Sequence, residues 1–196
     1  TKDKTEEILF EYKQKDDRII LYSTPIKLGA GGARKKGMEL ASGEYLAVVD
    51  CDDYIEKEYI AHMVEKIGPK GKGDQQYRDD IIFSGFKRVS PNGCVKYVRS
   101  YKDPDSALYQ SVAPWAKLYR KSFLEEKGIE FVNVPFGEDI IFTAEVIMAS
   151  PKLSMVDYAD YYWENNPTST SHSEFRYFPN DNLNIVKNIF DQMIYS

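Results

Sequence analysis

The chain has 196 residues, with 26 basic against 31 acidic side chains and a net charge of −5. That length suits one α/β domain with a sizeable core, and the acidic balance argues against generic nucleic-acid binding, which needs a basic face. No apolar stretch is long enough to span a bilayer and no signal-peptide pattern is visible. Cys51 and Cys94 make no disulfide framework and read as free thiols of a reducing compartment.

In chain order, Thr5 is placed to cap a helix in which Ile8, Leu9 and Tyr12 share a face, and Asp16-Asp17-Arg18 then turns into a strand over Ile19–Tyr22. The stretch from Lys27 to Gly37 is Gly-rich and cationic and opens a helix that runs through Met38 and Leu40 to Ala41. Backbone N–H groups at such a helix entry, helped by Arg34, can hold an anion, although glycines there also serve close packing.

Ser42-Gly43 then leads into the apolar run Tyr45–Val49, which stops on Asp50, Asp52 and Asp53. A continuous apolar run predicts a parallel strand covered on both faces, and in open α/β sheets the ligand crevice lies at the carboxyl ends of the strands. Carboxylates this close repel one another, so they belong in water or around a cation. Hard oxygen ligands suit Mg²⁺ or Mn²⁺, ions that bridge carboxylates to phosphate oxygens. The competing reading makes the Asp residues a cap for a helix over Tyr54–Ile67 with Ile60, Met63, Val64 and Ile67 on one face.

Gly68–Asp74 reads as a basic surface loop, Asp80–Phe86 as a strand, and Ser90-Pro91-Asn92-Gly93 as a hairpin turn into Val95–Val98. Ser122–Lys127 is a short helix ended by Gly128. Gly137-Glu138-Asp139 opens an amphipathic helix that ends before Pro151; by themselves its carboxylates are ordinary capping material. Leu153–Trp163 reads as a strand, residues 165–173 as a polar loop containing His172, and Asn180-Asp181-Asn182 as the cap of a last amphipathic helix suited to pack on the domain, on another copy or on a membrane-associated partner.

The string from Gly29 through Arg34 and Gly37, then Ala41-Ser42-Gly43-Glu44-Tyr45 and Asp50-Cys51-Asp52-Asp53, resembles the core of the family 2 glycosyltransferases. Trp115-Ala116-Lys117-Leu118-Tyr119 and Glu138-Asp139 resemble two further motifs of that family, while Lys27 and Lys35 stand where it usually has Asn. The resemblance implies a GT-A fold: a Rossmann-like α/β domain with a mixed, mainly parallel sheet flanked by helices. It divides the chain into a nucleotide-sugar and metal half over 1–112, an acceptor half over 113–175 and a C-terminal helix over 176–196. Family members carry a strand, a helix and a second strand before the first helix seen here, so the chain is expected to be a fragment of that domain.

The implied activity is inverting transfer of a sugar from a nucleotide-diphosphate sugar, most often a UDP-sugar, to a hydroxyl of a saccharide or lipid-linked saccharide, with Mg²⁺ or Mn²⁺. The resemblance makes Asp139 the general base, with Glu138 beside it. It gives Arg34, Lys35, Asp50 and Asp52 to the donor, and Asp52, Asp53 and His172 to the metal. Trp115 is expected against a sugar ring and Lys117 near substrate anions, with core packing and a surface position as the alternatives for these two. The family's usual role is building bacterial surface polysaccharide or glycolipid, in the cytoplasm or peripherally at the inner face of the membrane. Two rivals are a non-catalytic nucleotide-sugar module and a metal-dependent phosphohydrolase, for which no convincing residue set is found.

Overall fold

The computed structural model describes residues 3–67, 78–134 and 137–165. The Gly68–Asp74 loop, the polar loop with His172 and the final helix therefore lie outside the described residues, apart from Asn165. Helix α1 (Thr5–Lys15) forms as expected, but Thr5 is its first residue rather than its cap, and Asp3 Oδ1 accepts the Thr5 N–H at 3.1 Å. The strand expected over Ile19–Tyr22 makes no ladder among the described residues. An extended segment needs a neighbouring strand to satisfy its backbone, and here Ile20 and Tyr22 instead line an open groove of about 560 Å³ against α2 (Gly29–Leu40).

Two four-stranded sheets follow. The first has the order β1 (Tyr45–Ala47), β6 (Lys117–Arg120), β3 (Ile81–Phe83), β7 (Leu153–Met155). The second runs β2 (Tyr54–Ile55), β8 (Tyr161–Glu164), β4 (Phe86–Val89), β5 (Val95–Arg99). Only β3–β7 and β4–β8 pair in parallel. The sheets are mixed, as expected, but among the described strands the balance is antiparallel rather than mainly parallel. β3 behaves as a central strand should, with Ile81, Ile82 and Phe83 all buried.

β1 departs from the expected parallel strand. It pairs antiparallel with β6, Leu46 opposite Tyr119, and ends at Ala47. Leu46 is buried while Ala47 and Val49 are exposed, so the run is covered on one face only. The single strand expected over Leu153–Trp163 is two strands, because the chain changes sheets between them. It does so alongside the β3–β4 junction, where Gly85 N–H donates to Tyr158 O at 2.8 Å.

After the acidic turn the chain forms β2, and α3 (Tyr59–Glu65) begins later than expected, with no side-chain cap at Glu58. Its buried residues are Tyr59 and Met63, whereas Ile60 and Val64 are exposed. α4 (Pro104–Gln110) is capped by Asp103, which accepts the Ser106 N–H at 2.7 Å. α5 (Lys121–Lys127) ends on left-handed Gly128 and α6 (Glu138–Met148) begins after left-handed Gly137, both where the sequence places them. The β4–β5 hairpin turns on Gly93 at φ 79°.

Gly31 is buried where α2 meets α6. A Cβ there would lie 2.1 Å from Val132 O and 3.0 Å from Glu138 Cβ. Gly31→Ala must therefore push α2 away from the Val132 backbone ahead of α6, and it is expected to lower stability by about 1–3 kcal/mol. A urea midpoint shifted down at constant slope is the expected reading, and an unchanged midpoint would show the contact to be slack.

Candidate active site

Three stretches that are far apart in sequence meet at Arg34. Its Nη2 donates to Asp50 Oδ1 at 2.6 Å and its Nη1 to Glu138 Oε1 at 2.8 Å. α2 supplies the guanidinium, the end of β1 one carboxylate, and the first turn of α6 the other. Phe131 lies beneath the guanidinium at 5.6 Å. Burial works against the Arg34 charge, and the Asp50 and Glu138 carboxylates overcome it, holding the guanidinium above its ordinary value.

Asp50 and Asp53 close a turn, with Asp53 N–H on Asp50 O at 3.0 Å. Tyr161 clamps that turn from β8. Its hydroxyl accepts the Asp50 N–H at 3.2 Å and donates to Asp53 Oδ2 at 2.5 Å, while Glu164 N–H donates to Asp53 Oδ1 at 2.9 Å. Asp53 is thus tied into the second sheet and caps no helix. Burial pushes its carboxyl up to about 6; the Tyr161 and Glu164 hydrogen bonds oppose this, while the Asp50 and Asp52 charges add to it. Asp52 is exposed on the turn between them.

Asp139 sits half-buried in the first turn of α6, with Oδ1 accepting its neighbour's Ile140 N–H at 2.9 Å. Burial, then the Glu138 charge beside it, raises its proton affinity, and Arg34 only partly offsets this. A carboxylate whose pKa is raised toward neutrality is suited to take a proton. Arg34 therefore ties the acidic turn, the glycine-rich helix and the first turn of α6 together.

Other site expectations are corrected. Trp115 is 7% exposed and belongs to the core: Tyr161 stacks on it at 4.8 Å and 7°, and Phe86 meets its edge at 4.9 Å. With that stacking face taken, it supports the Tyr161 clamp rather than a sugar ring. Lys117 neither faces substrate anions nor snorkels to the surface. It is 3% exposed, and its Nζ donates to Ser111 O at 2.9 Å, Ser111 Oγ at 3.2 Å and Ala113 O. Lys35 points away from Arg34 to an exposed ion pair with Glu130 at 2.5 Å. Tyr161 escapes sequence reasoning, since its only signal is membership of the aromatic run Tyr161-Tyr162-Trp163.

Desolvation pulls the Lys117 amine down to about 7 from an ordinary value of 10.5, although the Asp139 charge opposes this. Between those values the unfolded chain binds a proton that the folded protein gives up, so this residue makes stability rise with pH across that window. Lys117→Met is expected to remove that rise when unfolding is compared at pH about 7 and about 9.5. An unchanged difference between the two pH values would contradict the buried amine.

The donor set fits a divalent cation of the kind held by one or two carboxylates together with substrate phosphates. Asp52 carries exposed hard oxygens on the turn, whereas the expected metal role of Asp53 is opposed by Tyr161 and Glu164, which engage both of its carboxylate oxygens. Among the described residues no group of three or more His, Cys, Asp or Glu side chains is arranged to hold a metal ion. His172 lies outside the described residues. Among the described residues no helix is long and apolar enough to cross a membrane.

The model of the glycosyl transferase family 2 matches residues 1–127. A poly(ribitol-phosphate) beta-glucosyltransferase of Bacillus spizizenii is 27% identical over 187 residues, which cover 92% of this chain and 28% of that protein. An uncharacterized glycosyltransferase of Methanocaldococcus jannaschii, MJ1057, is 37% identical over 91 residues, 46% of this chain and 29% of that protein. The solved structure of Staphylococcus aureus TarS in complex with UDP-GlcNAc superposes with a TM-score of 0.75 at 23% identity, covering 96% of this chain and 54% of that one. The chain thus spans between about a quarter and about half the length of these relatives, and the superposition bears out the expected GT-A fold. With the motif string, the Arg34 cluster and the family match in agreement, the chain belongs to glycosyl transferase family 2.

Proposed function

We propose that this chain carries the donor site and the general base of an inverting glycosyltransferase that moves a sugar from a UDP-sugar to a hydroxyl acceptor. The observation that carries the reading is the Arg34 bridge, which brings the cationic helix entry, the Asp50 strand end and the Glu138–Asp139 helix start together. Two further facts support it: the TarS structure similar to this chain holds UDP-GlcNAc, and the relatives named above act on poly(ribitol-phosphate) or are glycosyltransferases.

Inversion needs the acceptor oxygen to attack the anomeric carbon from the side opposite the leaving diphosphate, through an oxocarbenium-like transition state. Asp139 accepts the proton of that hydroxyl, and its raised proton affinity suits the task. Glu138 holds Arg34 and so fixes the first turn of α6. Asp50, kept in place by Arg34 and Tyr161, is positioned to accept hydrogen bonds from the ribose or donor-sugar hydroxyls. Asp52 would hold Mg²⁺ or Mn²⁺, which when bound supplies positive charge to the diphosphate oxygens.

The test is turnover of UDP-glucose and UDP-GlcNAc with a polyol-phosphate or saccharide acceptor, read by the anomeric coupling in the proton NMR spectrum of the product. An inverted anomeric centre is expected. A retained configuration would reject Asp139 as the base on the acceptor side, and binding without turnover would favour the non-catalytic module.

A further inference from the structure

The span Phe86–Lys102 carries Lys87, Arg88, Lys96, Arg99 and Lys102 and not one carboxylate, in a chain whose net charge is −5. These residues form β4, β5 and the segment leading to α4, with β5 at the edge of its sheet. Outside the span, Arg34, Lys35, Lys36, Arg120 and Lys121 form ion pairs. No salt bridge among the described residues engages any of the five on the hairpin.

Neutral groups hold three of them in place. Arg88 lies over Trp163 at 4.1 Å and donates to Asn165 Oδ1 at 2.7 Å. Arg99 lies over Tyr101 at 5.4 Å and donates to Gln110 Oε1 at 2.6 Å. Lys87 donates to the Tyr162 hydroxyl at 2.8 Å. Asn165 and Gln110 orient their guanidiniums without neutralising them, and a guanidinium has five N–H donors, so most remain for an anion. Lys87 also feels the carboxylates of Glu56, which holds the Tyr162 hydroxyl, and Asp160. Lys96 and Lys102 are exposed, as are Tyr97 and Val98 between them.

The strip also leads to the acidic turn. Tyr161, which clamps Asp50 and Asp53, is paired with Phe86, and Phe86 with Arg99, in one row across the sheet. Two strand spacings, about 10 Å, separate the first residue of that row from the last. The Arg99 end of β5 is thus two strands away from Tyr161, whose hydroxyl holds the Asp50–Asp53 turn.

We propose that Phe86–Lys102 is a docking strip for an anionic acceptor chain with phosphodiester groups in its repeating units, its cations contacting the phosphates and the exposed Tyr97 the polyol or sugar units between them. This rests on the glycosyltransferase reading and adds the acceptor's chemical class and where it binds.

The experiment is fluorescence anisotropy of labelled poly(ribitol phosphate) with the wild-type chain, a Lys96→Gln/Arg99→Gln/Lys102→Gln variant, and a Lys4→Gln/Lys13→Gln/Lys15→Gln control that makes the same charge change on and beside α1. Wild-type binding is expected to weaken about tenfold between about 50 and about 200 mM salt, as counterion release at a few phosphates requires. The hairpin variant should bind about tenfold more weakly than wild type while the α1 control stays within about twofold. Equal binding by the hairpin variant, an equal loss in the control, or equally tight binding of a single-stranded oligonucleotide of the same charge would overturn the strip. UDP titration of the wild-type chain separates the two failures. UDP binding with no polymer binding rejects the strip alone, whereas polymer binding that the hairpin variant loses, without UDP binding, rejects the donor reading and leaves the strip standing.

Discussion

Asp139→Asn is expected to reduce sugar transfer by roughly 10²–10⁴-fold, the usual contribution of a positioned general base. The amide keeps the shape of the side chain and can still accept the Ile140 N–H, so α6 should start as it does now. It cannot take a proton, and the neighbouring Glu138 is committed to Arg34. UDP affinity should be unchanged, because the proposed role of Asp139 is toward the acceptor hydroxyl and not the diphosphate. Burial and the Glu138 charge raise the Asp139 pKa, so transfer by the wild type should fall as pH drops through a value above the ordinary carboxylate range. Rate profiles of wild type and variant against pH, with UDP titrations beside them, check all three statements. Residual transfer within a few fold of wild type would remove Asp139 from the mechanism.

Arg34→Met carries the second large effect, on stability as well as on activity. It strands two half-buried carboxylates, Asp50 and Glu138, whose side chains are 28% and 15% exposed. Removing one partner from a buried ionic group costs about 3–5 kcal/mol, because an uncompensated charge is left behind. Arg34→Lys is expected to recover little of this: the two carboxylates are met by separate guanidinium nitrogens, and an ammonium offers only a single point of charge. Adding Glu138→Gln to Arg34→Met removes one stranded charge and should restore part of the loss. Urea unfolding of wild type, Arg34→Met, Glu138→Gln and the double variant gives the coupling directly, and additive losses would show that Arg34 and Glu138 do not act as a pair.

The elements that define the site were largely legible in the sequence. The helix that opens on the glycines before Arg34 and the Gly137-Glu138-Asp139 helix start form where the sequence places them, because each depends on local backbone chemistry. What the sequence misled on depends on distant partners. The run Tyr45–Val49 looks fully buried, yet Ala47 and Val49 are exposed because nothing among the described residues covers that face. The Asp residues look like caps for a following helix, yet the chain forms β2 first and Asp53 is bonded across 108 residues to Tyr161.

Trp115 and Lys117 show the same limit. Side-chain type suggests a sugar platform and a surface cation, but both lie where the sheets change over, Trp115 stacked under Tyr161 and Lys117 bonded into the Ser111–Ala113 loop. Ile19–Tyr22 has strand composition and forms no ladder, since propensity cannot supply a neighbouring strand.

Calorimetric titration of UDP, with and without Mn²⁺, into the wild-type chain and Asp52→Asn tests the central claim most directly. The Arg34-centred cluster, if it is a nucleotide-diphosphate site, gives binding that requires the cation and is lost in Asp52→Asn. Binding that ignores both Mn²⁺ and Asp52, or no binding by the wild type, would contradict the assignment of the Asp50–Asp53 turn to the donor diphosphate.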